Sequence, residues 1–178
     1  TCCGIVTQTP YLVERGNLPP DMYLAPSKLT TMKEKTKTCR RGNATEDAMA
    51  ICEQVNGLLT YTPSATTIET RVDEVMRTGR GVCQDYAHLM IALCRKAGIP
   101  ARYACGFVEG TGTTHAWVEI FDGQHWIGMD PTYNQLIEYG YVKLAHGRDA
   151  ADCPVNRGCY KNAAIEENEI IVTLEELT

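Results

Sequence analysis

The sequence predicts an α+β fold in which one apolar helix, opening at Cys83, packs against an antiparallel sheet. Ala87, Met90, Ile91, Cys94 and Ala97 recur at spacings of three and four residues, the pattern of a helix with a core-facing stripe. The segments 114–121 and 124–130 flank Asp122-Gly123, a strong two-residue turn signal between strand-like runs. Arg102 to Glu109 alternates and reads as a strand adjoining that hairpin.

Residues 7–32 are rich in Pro, Thr and Leu without periodicity and read as an extended arm. The polar stretch 31–43, with Lys33-Glu34-Lys35-Thr36-Lys37, reads as a solvated link, so the expected division is an arm and linker over 1–42 and a core over 43–178. Asn43 with Glu46 resembles a helix start. Met49, Ile51, Cys52, Val55 and Leu58 supply the inner face of a helix ending near Gly57, and Tyr61-Thr62-Pro63 breaks it. Thr70 and Asp73 form a second capping-box-like start for a short helix through Val72, Val75 and Met76. Gly79 and Gly81 then let the chain turn tightly into the helix of Cys83. That helix stops at Gly98-Ile99-Pro100. Residues 158–161 and 169–174 read as closing strands.

The hairpin register follows from the turn. With Asp122 and Gly123 central, Phe121 pairs with Gln124, Glu119 with Trp126, Trp117 with Gly128 and His115 with Asp130. Directly opposed residues hold their Cβ atoms about 4.5–5.5 Å apart on one face, within reach of an imidazole–carboxylate hydrogen bond.

A thiol, an imidazole and a carboxylate in this arrangement are the parts of a cysteine-nucleophile site. Cys83 lies one turn before Ala87 on the apolar stripe, so its thiol points toward the sheet. Helix N-terminal amides and a neighbouring imidazolium both favour the thiolate. The backbone N–H of Cys83 is one donor for a developing oxyanion. Tyr61 is either a second donor through its hydroxyl or a half-buried packing residue, and Gln84 is an alternative donor. Trp117 and Trp126 share the His115 face by this register and either line the cleft or pack in the core. His88, His125 and His146 are assigned no role.

At 178 residues and 44% hydrophobic content, the chain can bury most of its surface in one core. Lys and Arg number 17 against 22 Asp and Glu, a net charge of -5, and no basic stretch is interleaved with aromatics, which argues against nucleic acid as a partner. No run approaches the roughly 18 apolar residues of a membrane span, and the amino end lacks a secretory segment. The nine cysteines include no CxxC pair. An odd count with Cys52, Cys94, Cys105, Cys153 and Cys159 at apolar positions fits a reduced, cytoplasmic protein that uses cysteine as a small hydrophobe, with no metal site. A disulfide among Cys2, Cys3, Cys39, Cys153 and Cys159 is left open.

Gly-Val-Cys-Gln-Asp-Tyr-Ala at 81–87, Ala-Gly-Ile-Pro-Ala-Arg-Tyr at 97–103, Thr-His-Ala-Trp-Val-Glu at 114–119 and Trp-Ile-Gly-Met-Asp-Pro-Thr at 126–132 resemble the transglutaminase-like superfamily, its bacterial members most closely. With Gly147-Arg148-Asp149 and Arg157-Gly158, the resemblance covers about residues 45–160. It implies a papain-like α+β fold, the transglutaminase core, with Cys83 as nucleophile, His115 as general base and acid, and Asp130 holding the imidazole. In similar bacterial proteins a β-rich domain often precedes the core. Family members include cross-linking enzymes, peptidases, deglycosylating amidases and inactive scaffolds, so the resemblance leaves the reaction open. Many transglutaminases place a tryptophan upstream of the cysteine, whereas both tryptophans here follow it. The expectation is therefore hydrolysis of a protein or peptide amide through a Cys83 thioester. The alternatives are protein-glutamine gamma-glutamyl transfer and, in another class, an inactive binding scaffold. No cofactor is needed, and no acidic loop has the spacing of a calcium site.

Overall fold

The structure is a computed structural model that describes residues 12–14, 18–33, 42–154 and 172–174. In chain order its elements are β1 (Leu12–Glu14), a 3-10 turn (Pro20–Tyr23), α1 (Ala44–Leu58), β2 (Thr60–Tyr61), α2 (Val72–Thr78), β3 (Arg80–Gly81) and α3 (Cys83–Lys96). There follow β4 (Ala101–Val108), β5 (Gly110–Gly112), β6 (His115–Phe121), β7 (His125–Asp130), β8 (Gln135–Leu136), β9 (Tyr141–Gly147), a second 3-10 turn (Ala150–Asp152) and β10 (Val172–Leu174). The main sheet runs β1-β7-β6-β4-β9, with β8 also pairing β7, and all its neighbours are antiparallel. The expected α+β architecture, a central helix on an antiparallel sheet, is thus the one observed.

Local chemistry sets the helix ends. Asn43 caps α1 as its sequence implies, its side-chain oxygen accepting from the Glu46 N–H at 2.9 Å. The capping box expected for α2 does not form. Thr70 turns its hydroxyl to the Thr67 N–H at 2.9 Å, Asp73 accepts from the Lys33 N–H at 2.9 Å, and Arg71 occupies the cap position without a side-chain bond. Gly79, at φ +65°, ends α2 in a left-handed conformation.

The spacing around Cys83 predicts an amphipathic helix, but α3 is buried on every side from Asp85 to Arg95. It packs against β6 and β4 on one side and against α1 and α2 on the other. Its polar groups are accommodated by specific bonds. The Tyr86 hydroxyl donates to the Leu59 carbonyl at 2.9 Å, and Arg95 forks between the carbonyls of Tyr23 (2.8 Å), Ala101 (3.0 Å) and Arg148 (2.7 Å) and the Thr30 hydroxyl (2.8 Å). These bonds, with buried Tyr23 and Leu29, dock residues 20–30 onto the core, and Leu12–Glu14 adds an edge strand to β7. Residues 20–30 of the arm are therefore packed on the core.

The hairpin register differs from the one the turn signal implies. Val118 pairs with Met129, Glu119 with Gly128, Ile120 with Ile127 and Phe121 with Trp126. The turn has moved one residue along. Gly123, at φ +113°, takes its first central position, and the Asp122 carboxylate accepts from the N–H groups of Gln124 and His125, both at 2.7 Å. The pairing consequently shifts by two, one full strand period, and every side chain keeps its face.

Cys52, Cys94, Cys105 and Cys153 are buried free thiols, matching their reading as small hydrophobes, and burial pushes the Cys52 and Cys94 thiols up. Cys2, Cys3, Cys39 and Cys159, the link over 34–41 and the segment 158–161 lie outside the described residues. Residues 172–174 do form a strand, paired with β5. No helix among the described residues is long and apolar enough to cross a membrane.

Candidate active site

Cys83 is the first residue of α3, at an elbow that only a glycine at 81 permits. A Cβ on Gly81 would lie 2.6 Å from Cβ of Asp85. The buried Asp85 carboxylate fixes the elbow by accepting from the Val82 N–H at 2.8 Å and the Thr66 hydroxyl at 2.5 Å. Burial raises its pKa, and the two bonds oppose that rise.

His115 opens β6 opposite Gly106, where the β4–β9 ladder is bulged. A Cβ on Gly106 would stand 1.9 Å from the Val142 carbonyl oxygen, so glycine is what lets β9 approach here. The imidazole Nε2 lies 2.6 Å from Asp130 Oδ2, which leaves Nδ1 for the hydrogen-bonded Cys83 thiol. The Tyr133 ring lies nearly parallel to the imidazole, with centroids 5.3 Å apart and planes inclined by 19°. Burial, the largest influence, pushes the His115 pKa down, but hydrogen bonds and charge from Asp130 and Cys83 outweigh it and raise the value to about 9.

Asp130 is fully buried and engaged through both oxygens. Oδ1 accepts from the N–H groups of Thr132 (2.8 Å) and Tyr133 (3.4 Å), while Oδ2 accepts from the Tyr141 hydroxyl at 2.7 Å as well as meeting His115. Gln135 Nε2 in turn donates to the Tyr141 hydroxyl at 3.0 Å. Asn56 Nδ2 donates to the carbonyls of Pro131 and Thr132 and so ties α1 to the turn that follows Asp130.

Cys83 and His115 face a cleft of about 230 Å³, with Tyr61, Tyr133, Phe107 and Val172 also on its walls. A larger hollow of about 420 Å³ by Asn43 and Asp122 contains none of them and no titratable cluster of similar chemistry. Tyr61 joins the site as the sequence allows. Its backbone pairs with Gly81, and burial together with the nearby Cys83 pushes its hydroxyl pKa up, keeping it a donor at neutral pH. Gln84 is half-buried and does not line the cleft. Trp117 does not line it either: it is 0% exposed, because it packs behind His115 and edge-on to Tyr141. Trp126 packs farther along the same face, with Tyr23, Phe121 and the Arg102 guanidinium. Among the described residues no group of three His, Cys, Asp or Glu side chains is placed to hold a metal ion. Tyr133 and Tyr141 are the site residues that sequence reasoning missed. Tyr133 stands three positions after Asp130 and was within reach of a local reading; Tyr141 reaches Asp130 only through the fold.

A thiol at a helix start beside a histidine that is itself held by a buried carboxylate, on this α+β scaffold, defines a papain-like arrangement. The family model of the transglutaminase-like superfamily matches residues 31–131, and the chain belongs to that superfamily. An uncharacterised protein of Mycobacterium tuberculosis strain H37Rv is 39% identical over 129 residues, covering 63% of this chain and 40% of that protein. The protein-glutamine gamma-glutamyltransferase of Pseudomonas aeruginosa is 34% identical over 115 residues, 54% of this chain and 17% of its own length. The chain thus spans less than half the length of these relatives. A crystal structure of a candidate cysteine protease from Cytophaga hutchinsonii superposes with a TM-score of 0.67 at 30% identity, covering 81% of this chain and 56% of that one.

Proposed function

We propose that this protein is a cysteine-dependent enzyme that cleaves amide bonds of a protein or peptide through a Cys83 thioester. The observation that carries this reading is the continuous line from the Cys83 thiol through His115 to Asp130, closed by the 2.6 Å contact of Nε2 with Oδ2. A thiol at a helix N-terminus, hydrogen-bonded to an imidazole that can receive its proton, is the arrangement that activates a cysteine nucleophile. The thiolate attacks the amide carbonyl, and the oxyanion takes the Cys83 N–H and the Tyr61 hydroxyl as donors. His115 then gives its proton to the departing amine as the carbon–nitrogen bond breaks. The neutral imidazole next removes a proton from water, the hydroxide displaces sulfur, and the acid product leaves with thiolate and imidazolium restored. Asp130 keeps Nδ1 aimed at sulfur throughout.

Water is the favoured acceptor because Tyr61 and Tyr133, the aromatic walls beside the thiol, are 52% and 56% exposed, so a thioester there stands open to solvent. The identity with the Pseudomonas aeruginosa enzyme supports the second reading, transfer to a lysine amine. Incubating the protein with a glutamine-containing peptide and a primary amine, followed by mass spectrometry, separates the two. Hydrolysis leaves acid or cleaved peptide whether or not amine is present, and transfer leaves the amine adduct. If neither product forms and Cys83 carries no acyl group, the chain is a binding scaffold and this proposal is wrong.

A further inference from the structure

We infer that Tyr141, held by Gln135, is a positioning residue that sets the basicity of His115 through Asp130, an inference resting on the function proposed above. The Tyr141 hydroxyl donates to Oδ2 of Asp130, the same oxygen that meets His115 Nε2. One oxygen of a fully buried carboxylate therefore serves two donors. Each donor draws on the same negative charge, so the phenol weakens the hold of Asp130 on the imidazolium. Gln135 determines which way the phenol donates. Its Nε2 occupies the Tyr141 oxygen as a donor at 3.0 Å, which turns the hydroxyl proton toward Asp130 and polarises it.

The charged groups around the imidazole confine the effect to this path. His115 feels Asp130 and Cys83, and Tyr141 feels Asp130 and the neighbouring Tyr133. The Tyr141 ring packs edge-on to Trp117 at 5.2 Å, a contact that phenylalanine preserves. Gln135 is exposed, on the same short stretch that carries Tyr133 over the imidazole, so the loop after Asp130 touches His115 both by its ring and through the phenol. A thioester intermediate needs an imidazole neutral enough to take a proton from water, and a phenol that moderates the carboxylate serves that step.

The test is a titration of His115 by NMR in wild type, Tyr141→Phe and Gln135→Leu, with far-UV circular dichroism confirming that each variant is folded. The account expects the His115 titration to move up by about 0.5–1 pH unit in Tyr141→Phe, the size of one lost hydrogen bond, and by less in Gln135→Leu. An unchanged or lowered midpoint in both folded variants overturns it; because phenylalanine keeps the ring against Trp117 and so keeps His115 buried, a rise in Tyr141→Phe reports the lost hydroxyl bond rather than lost burial. Should Tyr141→Phe fail to fold, Gln135→Leu decides, because it leaves the ring in place. Alkylation of wild-type Cys83 separates the two levels of the argument. If it depends on His115 while the midpoints do not move, only the role of Tyr141 fails; if it does not depend on His115, the enzyme reading fails.

Discussion

His115 and Asp130 meet across a diagonal of the β6–β7 ladder rather than on a rung, with Nε2 and Oδ2 2.6 Å apart. Extending the observed pairs by one places Asp130 opposite Trp117, two positions along from His115 on the same face. Diagonal neighbours have backbones about 7–8 Å apart, still within reach of an imidazole and a carboxylate. The diagonal leaves room beside Oδ2 for the Tyr141 hydroxyl, which bonds it at 2.7 Å.

Asp130→Asn keeps this shape and loses the charge. The expected result is a fall in the rate of Cys83 acylation of roughly a hundred- to ten-thousand-fold with the melting transition still cooperative. A variant acylated at the wild-type rate would remove Asp130 from the machinery.

The His115 pKa is raised from 6.5 to about 9 on folding, so its contribution to stability is complete below 6.5 and is lost as pH rises through 9. Denaturant unfolding of wild type and His115→Gln between pH 6 and 10 checks this: the stability gap between them should narrow as pH rises across that interval. A constant gap contradicts the raised value.

His88 runs the opposite way. Burial, partly offset by Asp149 and reinforced by Arg95, lowers its pKa from 6.5 to about 4, while its Nε2 accepts from the Ala150 N–H at 3.1 Å. Neutral His88 supports the fold above pH 6.5, and that support is lost as pH falls through 4. His88→Phe should flatten this part of the stability profile in acid; an equally steep loss in the variant assigns the acid sensitivity elsewhere.

Arg95→Lys replaces a fork that holds Tyr23, Thr30, Ala101 and Arg148 with a single ammonium. The expected cost is about 1–3 kcal/mol in urea unfolding, with earlier proteolysis of residues 18–33 than of the core. Proteolysis in the wild-type order would show that the arm is held by other contacts.

Much of the site could be read from the sequence because its parts announce themselves locally. Cys83 follows two glycines at the start of an apolar helix, and His115 and Asp130 flank a marked turn. The turn signal alone implies a register two residues away from the observed one, because the Asp122 side chain captures the Gln124 and His125 amides and moves the turn onto Gly123. The pairing survived because two is the period of a strand. Thr70 and Asp73 look like a capping box, but Thr70 is drawn off by the Thr67 amide three residues before it and Asp73 by the Lys33 amide, a partner that only the folded chain supplies. Trp117 sits on the expected face yet is shut behind the imidazole, since a face does not specify depth. β9 mixes buried and exposed residues without clean alternation, so neither the strand nor Tyr141 carries a local signal. The four buried free cysteines were legible from their apolar settings.

The most direct measurement is a brief, sub-stoichiometric iodoacetamide pulse at neutral pH on wild type and His115→Ala, read by mapping the label to individual cysteines. An activated nucleophile predicts label concentrated on Cys83 in wild type and lost from it in the variant. Label spread over several cysteines, with the same pattern in both proteins, would contradict the account.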